Sequence, residues 1–349
     1  MMRVPSGVFQ HKSWSSKPDQ IYTALDTARK QIEESMGEPF SNPPTLTVTK
    51  HTDFWALVEL HGDEFHIRIS TSVVTAIFLL WKETLKNDVL RKNDGQYIST
   101  DINLLTHVSL VWLLLHELSH FTLGHFEITG KHSILETTKG SELSLLSRAP
   151  KATPKIASLE HLDYIQIERC FELQADHDAI ELMLDTYSKE NWSDLRVKIA
   201  SVATVMILIE KADEENQIEH STHPKAATRI FQLLGHVTEM WSLPAHAKAK
   251  ARGETPICED DLPSDEEKKE FSKEVILPAF WDAVALAEVA EAKSIISDLG
   301  SPEDFFADVT RAKLGQWDEL LTVGAIEWAE LKDANDLILP LLPINQETN

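Results

Sequence analysis

The run Val108–Phe121, VSLVWLLLHELSHF, is apolar around nearly every side of a helix, yet it carries His116, Glu117 and His120. A helix without a polar face belongs in the interior, with other elements wrapped around it. Burying two imidazoles and a carboxylate there is costly unless each finds a partner. The fold must therefore be built around this helix and must bring compensating groups to it.

Residues four apart on a helix stand about 40° apart around its axis, so His116 and His120 leave on one face. Two imidazoles so placed can grip one Zn²⁺, and Glu117 beside them can reach water at the metal. Such a site needs at least a third ligand. Position 126 is Phe, which excludes the extended H-E-x-x-H-x-x-G-x-x-H class. His125 follows His120 at five residues, a quarter-turn off the face of the pair on a continuous helix. The remaining source is a carboxylate from a second helix. ERCFELQADHDAI at 168–180 offers Glu172 and Asp176, four apart, with small Ala175 and Ala179 permitting close helix packing. Glu172 can reach the metal, and Glu168 fits on spacing alone as well. Asp176 can accept a hydrogen bond from the outer nitrogen of a ligating histidine. Cys170 points away from that face and is given no role, and His107, His125, His177 and His220 are read as structural or exposed.

The rest of the chain reads as α+β, mostly helical, with a small sheet. Helix signals cover 18–36, 72–86, a long stretch from the candidate caps Ser99, Thr100 and Asp101 to about Phe126, then 161–187, 194–213 and 224–241. Strands are predicted at 45–49, 54–60 and 64–70, the last two joined at His61-Gly62-Asp63. Residues 129–160 form a long polar excursion. Residues 244–270, basic and then acidic, look like a solvated linker between a domain at 1–243 and a helical appendage at 271–349 with helices over 273–298 and 303–335.

A formal net charge of -23 disfavours nucleic-acid and anionic-membrane partners. Two cysteines cannot form a disulfide framework, and the first twenty residues lack the apolar core of a signal peptide. The uninterrupted apolar runs at 108–115 and 199–210 fall short of the ~20 residues of a membrane span. A soluble, cytoplasmic protein is expected.

HELSHFTLGH, then ELQAD, then STHPKAATRI at 221–230 resemble, in order, three signatures of the zinc gluzincin family of CaaX prenyl proteases and HtpX-type proteases. Those signatures are H-E-x-x-H-x-x-x-x-H, E-x-x-A-D, and H-P with an arginine six residues after the histidine. The resemblance covers roughly residues 50–240. It implies a zincin-like metallopeptidase fold with Glu172 as third zinc ligand, Asp176 as the carboxylate behind the ligands, His223 stabilising the oxyanion and Arg229 bracing the site. It also makes 64–70 the edge strand along which a substrate would lie. Unlike the membrane members, this chain has no long hydrophobic helices by the count above, and it lacks the signal peptide of the periplasmic ones. In size and motif it is also similar to the phage-exclusion peptidases of prophages.

The expected function is zinc-dependent endopeptidase action on a protein or peptide, with Glu117 as general base. The site would be constitutive or held latent by a regulatory partner, by 129–160 or by 271–349. The competing expectation is a binding or regulatory protein whose zinc is structural, with four protein ligands and no bound water.

Overall fold

The computed structural model describes residues 16–61, 64–87, 89–129, 133–136, 159, 162–218, 221–254 and 256–343. The chain enters through α1 (Lys17–Met36), started by the Ser16 cap and closed by Gly37 at φ 77°. Strands β1 (Thr45–Thr49), β2 (Ala56–His61) and β3 (Glu64–Ser70) follow, then α2 (Thr71–Thr84). Next come α3 (Ile102–Thr122), the short α4 (His125–Thr129) and β4 (Ser133–Glu136). The rest is helical: α5 (Tyr164–Leu184), α6 (Trp192–Asn216), α7 (Ala226–Glu239), α8 (Leu243–Arg252), α9 (Asp265–Phe271), α10 (Leu277–Val289), α11 (Lys293–Leu299), α12 (Pro302–Lys313) and α13 (Val323–Ile338). The mostly helical α+β expectation is met at that level.

Helix α3 occupies the centre. Asp101 caps it, accepting from the backbone N–H groups of Asn103 and Leu104, and every side chain from Leu105 to His120 is buried. Helices α1, α2, α5 and α6 pack around it. With 21 residues, α3 is long and apolar enough to cross a bilayer by length and composition, but 83% of its apolar window lies buried inside the protein. Counting only uninterrupted apolar residues had made it too short, because Ser, Thr and His interrupt a run without ending a helix. It ends at Gly124, whose left-handed φ of 76° turns the chain before α4. The expectation of one helix to Phe126 is corrected there.

The sheet has the order β1-β3-β2-β4, with β1 parallel to β3 and the other pairs antiparallel. Along β3, Phe65, Ile67 and Ile69 are buried while Glu64 is exposed. The Phe65 ring lies 4.8 Å from Phe121 and 6.2 Å from Phe126 between centroids, so the inner face of the sheet covers the end of α3. Residues 64–70 were expected at an edge, and this is corrected: β3 is an interior strand, hydrogen-bonded on both sides. The hairpin with β2 is local and visible in sequence, whereas the parallel pairing with β1 is not. Among the described residues the outer strands are β1 and β4, and β4 falls in the segment read as an irregular excursion. The rest of 130–160, apart from Leu159, lies outside the described residues.

Residues 244–270, read as a solvated linker, contain α8 and α9. Ala245 and Ala249, four apart, are buried, and the charges around them pair with each other: Asp261 lies 3.2 Å from Lys248 and 2.6 Å from Arg252. The helices beyond 271 share one hydrophobic core with α6 and α7. Buried Asp282 of α10 accepts from Arg196 of α6 at 2.6 and 2.9 Å and from the Leu90 N–H at 3.1 Å. On α13, a Cβ added to Gly324 would meet the Ala227 backbone of α7 at 2.7 Å, so only glycine allows this approach. A cut at residue 243 would therefore open the core rather than remove an appendage.

Candidate metal centre

Helix α3 presents His116 and His120, and α5 packs across it with Glu172. The Nε2 atoms of the two histidines are 3.1 Å apart. One oxygen of Glu172 lies 3.2 Å from His116 Nε2 and the other 3.5 Å from His120 Nε2. All three side chains are buried, and their donor atoms lie within 4.8 Å of one another. Ligands held about 2.0–2.1 Å from a tetrahedral zinc are about 3.3–3.4 Å apart along each edge. The separation of the two nitrogens, 3.1 Å, and the distances from them to the nearer Glu172 oxygens, 3.2 and 3.5 Å, are of that size, so the residues fit a single ion of this kind. Glu168 is also buried but lies outside the converging group.

Behind His116, Nδ1 lies 2.9 Å from Asp176. The other face of Asp176 accepts two hydrogen bonds from Arg229 of α7, each 2.7 Å long. Burial acts to raise the Asp176 carboxyl, but Arg229 and His116 outweigh it and hold it down to about 2. It is an anion, so the Nδ1 of His116 carries the proton and Nε2 offers its lone pair inward. Arg229 also stands 5.8 Å from the Trp112 ring, itself beside His116.

Behind His120 the support was not anticipated. The reversal at Gly124 brings His125 back, and its Nδ1 lies 2.9 Å from His120 Nδ1. On a continuous helix His125 would point a quarter-turn away. Its Nε2 donates to Gln174 Oε1 at 2.8 Å, and Gln174 Nε2 donates to Asn335 Oδ1 on α13. Since His125 uses its proton on Gln174, its Nδ1 accepts from His120 Nδ1–H, and His120 Nε2 is again the bare nitrogen. Burial, with Gln174 opposing, keeps His125 down to about 3, and burial followed by the neighbouring His116 keeps His120 well below its ordinary value. Both rings are neutral at pH 7. Glycine after a motif histidine, followed by another histidine, is the only sequence signal for this arrangement.

His223 precedes α7, and its Nε2 is 3.9 Å from Glu172 Oε2. It stands beside the three-donor group and is not one of its members. Its Nδ1 is 3.0 Å from Asp213 of α6, which also accepts from Ser221 Oγ at 2.5 Å. Ser221 Oγ in turn accepts from the His223 backbone N–H at 3.0 Å. Asp213 was missed because nothing in its local sequence marks it. The loop is held from outside as well: Arg169 donates to Ser221 O at 3.1 Å and to Glu327 of α13 at 3.2 Å, and Glu327 accepts from the Lys225 N–H at 2.9 Å.

The seven residues singled out from sequence, His116, Glu117, His120, Glu172, Asp176, His223 and Arg229, are thus all buried where α3, α5 and α7 meet. Cys170 faces away, donating to Leu331 O at 3.4 Å, with its thiol pushed by burial up to about 12. His107 is buried and held by burial down to about 4. His220 lies outside the described residues.

A family model described as Peptidase U49 matches residues 157–241. The match supports a peptidase family. It spans α5, α6 and α7, and so includes Glu172, Asp176, His223 and Arg229. No curated protein and no solved structure gave a match.

Proposed function

We propose that the chain is a zinc-dependent endopeptidase with a zincin-like centre, acting in the cytoplasm on a protein or peptide. The carrying observation is the buried convergence of His116, His120 and Glu172, with donor atoms close enough to share one ion and Glu117 adjacent in the same helix. A match to a peptidase family over the adjoining helices supports the same reading, as does the resemblance of the three ordered motifs to prenyl and HtpX-type proteases. His116, His120 and Glu172 would hold the zinc, which supplies a Lewis acid that acidifies water and polarises a carbonyl. A purely structural ion would call for a fourth protein ligand, and His223 stands outside the donor group.

Within this reading each residue has a proton task. Glu117 takes the proton of the attacking water and delivers it to the leaving nitrogen. His223 donates from Nε2 to the developing oxyanion. With Nδ1–H committed to Asp213, donation from Nε2 requires the doubly protonated ring, whose charge Asp213 balances. Asp176 and Arg229 fix the ring of His116, and His125 with Gln174 fixes that of His120. His116, Glu117, His120, Glu172 and His223 are each at most 5% exposed, so the site as it stands offers a peptide almost no surface. We therefore read the enzyme as latent until a partner or the substrate opens it.

Glu117→Gln is the test, because it keeps the volume and removes the base. Zinc content should be unchanged, and new protein N-termini seen in cells expressing the parent should be absent with the variant. Equal cleavage by both would remove Glu117 from the role of base.

A further inference from the structure

We propose that His177, Glu181 and His236 form a second site, at the surface, for a divalent transition-metal ion. His177 and Glu181 lie four apart on α5, with Nε2 and Oε1 3.4 Å from each other. His236 comes from α7, its ring 5.7 Å from that of His177 and nearly perpendicular to it. One donor atom from each of the three falls within 4.8 Å of the others. Two imidazoles and a carboxylate are the ligand types that suit Zn²⁺, Ni²⁺ and Cu²⁺ rather than Mg²⁺ or Ca²⁺.

The bland alternative is a solvated ion pair between His177 and Glu181, a common i,i+4 contact on an exposed helix. Such a pair does not need a third donor from another helix. His236 is half-buried, and burial followed by its neighbour His177 holds it below its ordinary value, so it offers a lone pair at neutral pH. The nearby cations do not oppose an ion strongly, since Lys313 pairs with Glu239 and Lys332 with Asp336. His177 and His236 border a groove of about 560 Å³ that also includes Phe231, Trp317 and Trp328. The groove leaves room for water to complete the coordination. An ion here would tie α5, which carries Glu172 and Asp176, to α7, which carries Arg229. Its occupancy would stiffen the frame of the buried centre without taking part in it.

The inference does not depend on peptidase activity, and equilibrium dialysis of the full chain against Zn²⁺ tests it. The wild type and Glu117→Gln should each bind two ions per chain, whereas His177→Ala and His236→Ala should bind one. Glu181→Gln should weaken the second ion at least ~10-fold. Circular dichroism of the metal-free variants checks that they fold, which is expected because His177 and Glu181 are more than half exposed. A single ion retained in His236→Ala and equal to the wild type overturns the surface site and leaves the buried centre standing. A single ion in the wild type that is lost in His236→Ala supports the surface site and counts against the buried centre. Binding of a second ion that all three variants leave unchanged also overturns it.

Discussion

His116 and His120 stand one turn apart on the same helix, yet they are supported from behind by unlike chemistry. His116 rests on a charged clamp, with Asp176 at 2.9 Å and Arg229 beyond it at 2.7 Å. His120 rests on a neutral relay, through His125 at 2.9 Å and Gln174 at 2.8 Å to Asn335. Both arrangements leave Nε2 bare and aimed at the same point. The clamp also adds negative charge behind its ring, which raises the electron-donating power of His116. The relay fixes direction and tautomer without that charge. One helix thus carries one ligand strengthened electrostatically and one that is only oriented.

The clamp should be the more costly to break. Asp176→Asn leaves the Arg229 guanidinium buried without its counter-charge, and breaking such a pair costs about 3–5 kcal/mol. Urea unfolding of the metal-free variant should show that loss, together with weaker zinc binding. A loss below ~1 kcal/mol, the range of an exposed pair, would mean that the clamp is not desolvated as the structure has it.

The two supports also differ in how well sequence revealed them. Asp176 stands one turn from Glu172, so spacing reaches it, whereas Arg229 is reached only through the resemblance. The relay depends on Gly124 taking φ 76° and swinging His125 back, and a helical wheel gives the opposite answer. Asp213 and Glu327 are likewise invisible, because they meet His223 and its loop only through long-range packing. The sheet shows the same divide: the β2–β3 hairpin was legible, while the parallel β1–β3 pairing that makes β3 interior was not. The KAKAR and acidic runs of 244–270 looked solvated because their charges pair with each other across a turn, a fact that composition does not carry. Local periodicity located the elements, and distant pairing decided what each one does.

Breaking the relay should cost less stability than breaking the clamp, but it should still reach the metal. Gln174→Met keeps the volume and removes the partner of both His125 and Asn335. Leaving such a buried donor unsatisfied costs about 1–3 kcal/mol, and zinc affinity should fall about 10–100-fold through the loosened His120 ring. Dialysis against zinc beside urea unfolding reads both quantities. A stability loss with unchanged affinity would mean that the relay is packing and does not orient His120.

Acid separates the two supports by window. His125 is held down to about 3 against an ordinary 6.5, mainly by burial. Below pH 6.5 the unfolded chain takes up a proton that folded His125 refuses, so the stability present above pH 6.5 is lost progressively as pH falls towards 3. At 1.36 kcal/mol per pH unit, this one ring accounts for about 2 kcal/mol lost between pH 7 and pH 5. His107 and His120, also lowered by burial, act with the same sign. Asp176, lowered from 3.8 to about 2, contributes its loss only below pH 3.8. His125→Phe retains an aromatic ring against Phe171, 4.4 Å away in the parent, and cannot titrate. Metal-free His125→Phe should lose about 2 kcal/mol less than the parent between pH 7 and pH 5, and the two should lose equally only below about pH 3, where folded His125 also takes up its proton. If the two lose equally between pH 7 and pH 5, His125 is already protonated in the fold. In that case both of its nitrogens donate, His120 Nδ1 accepts, and the proton on His120 sits on Nε2, where it would block the metal.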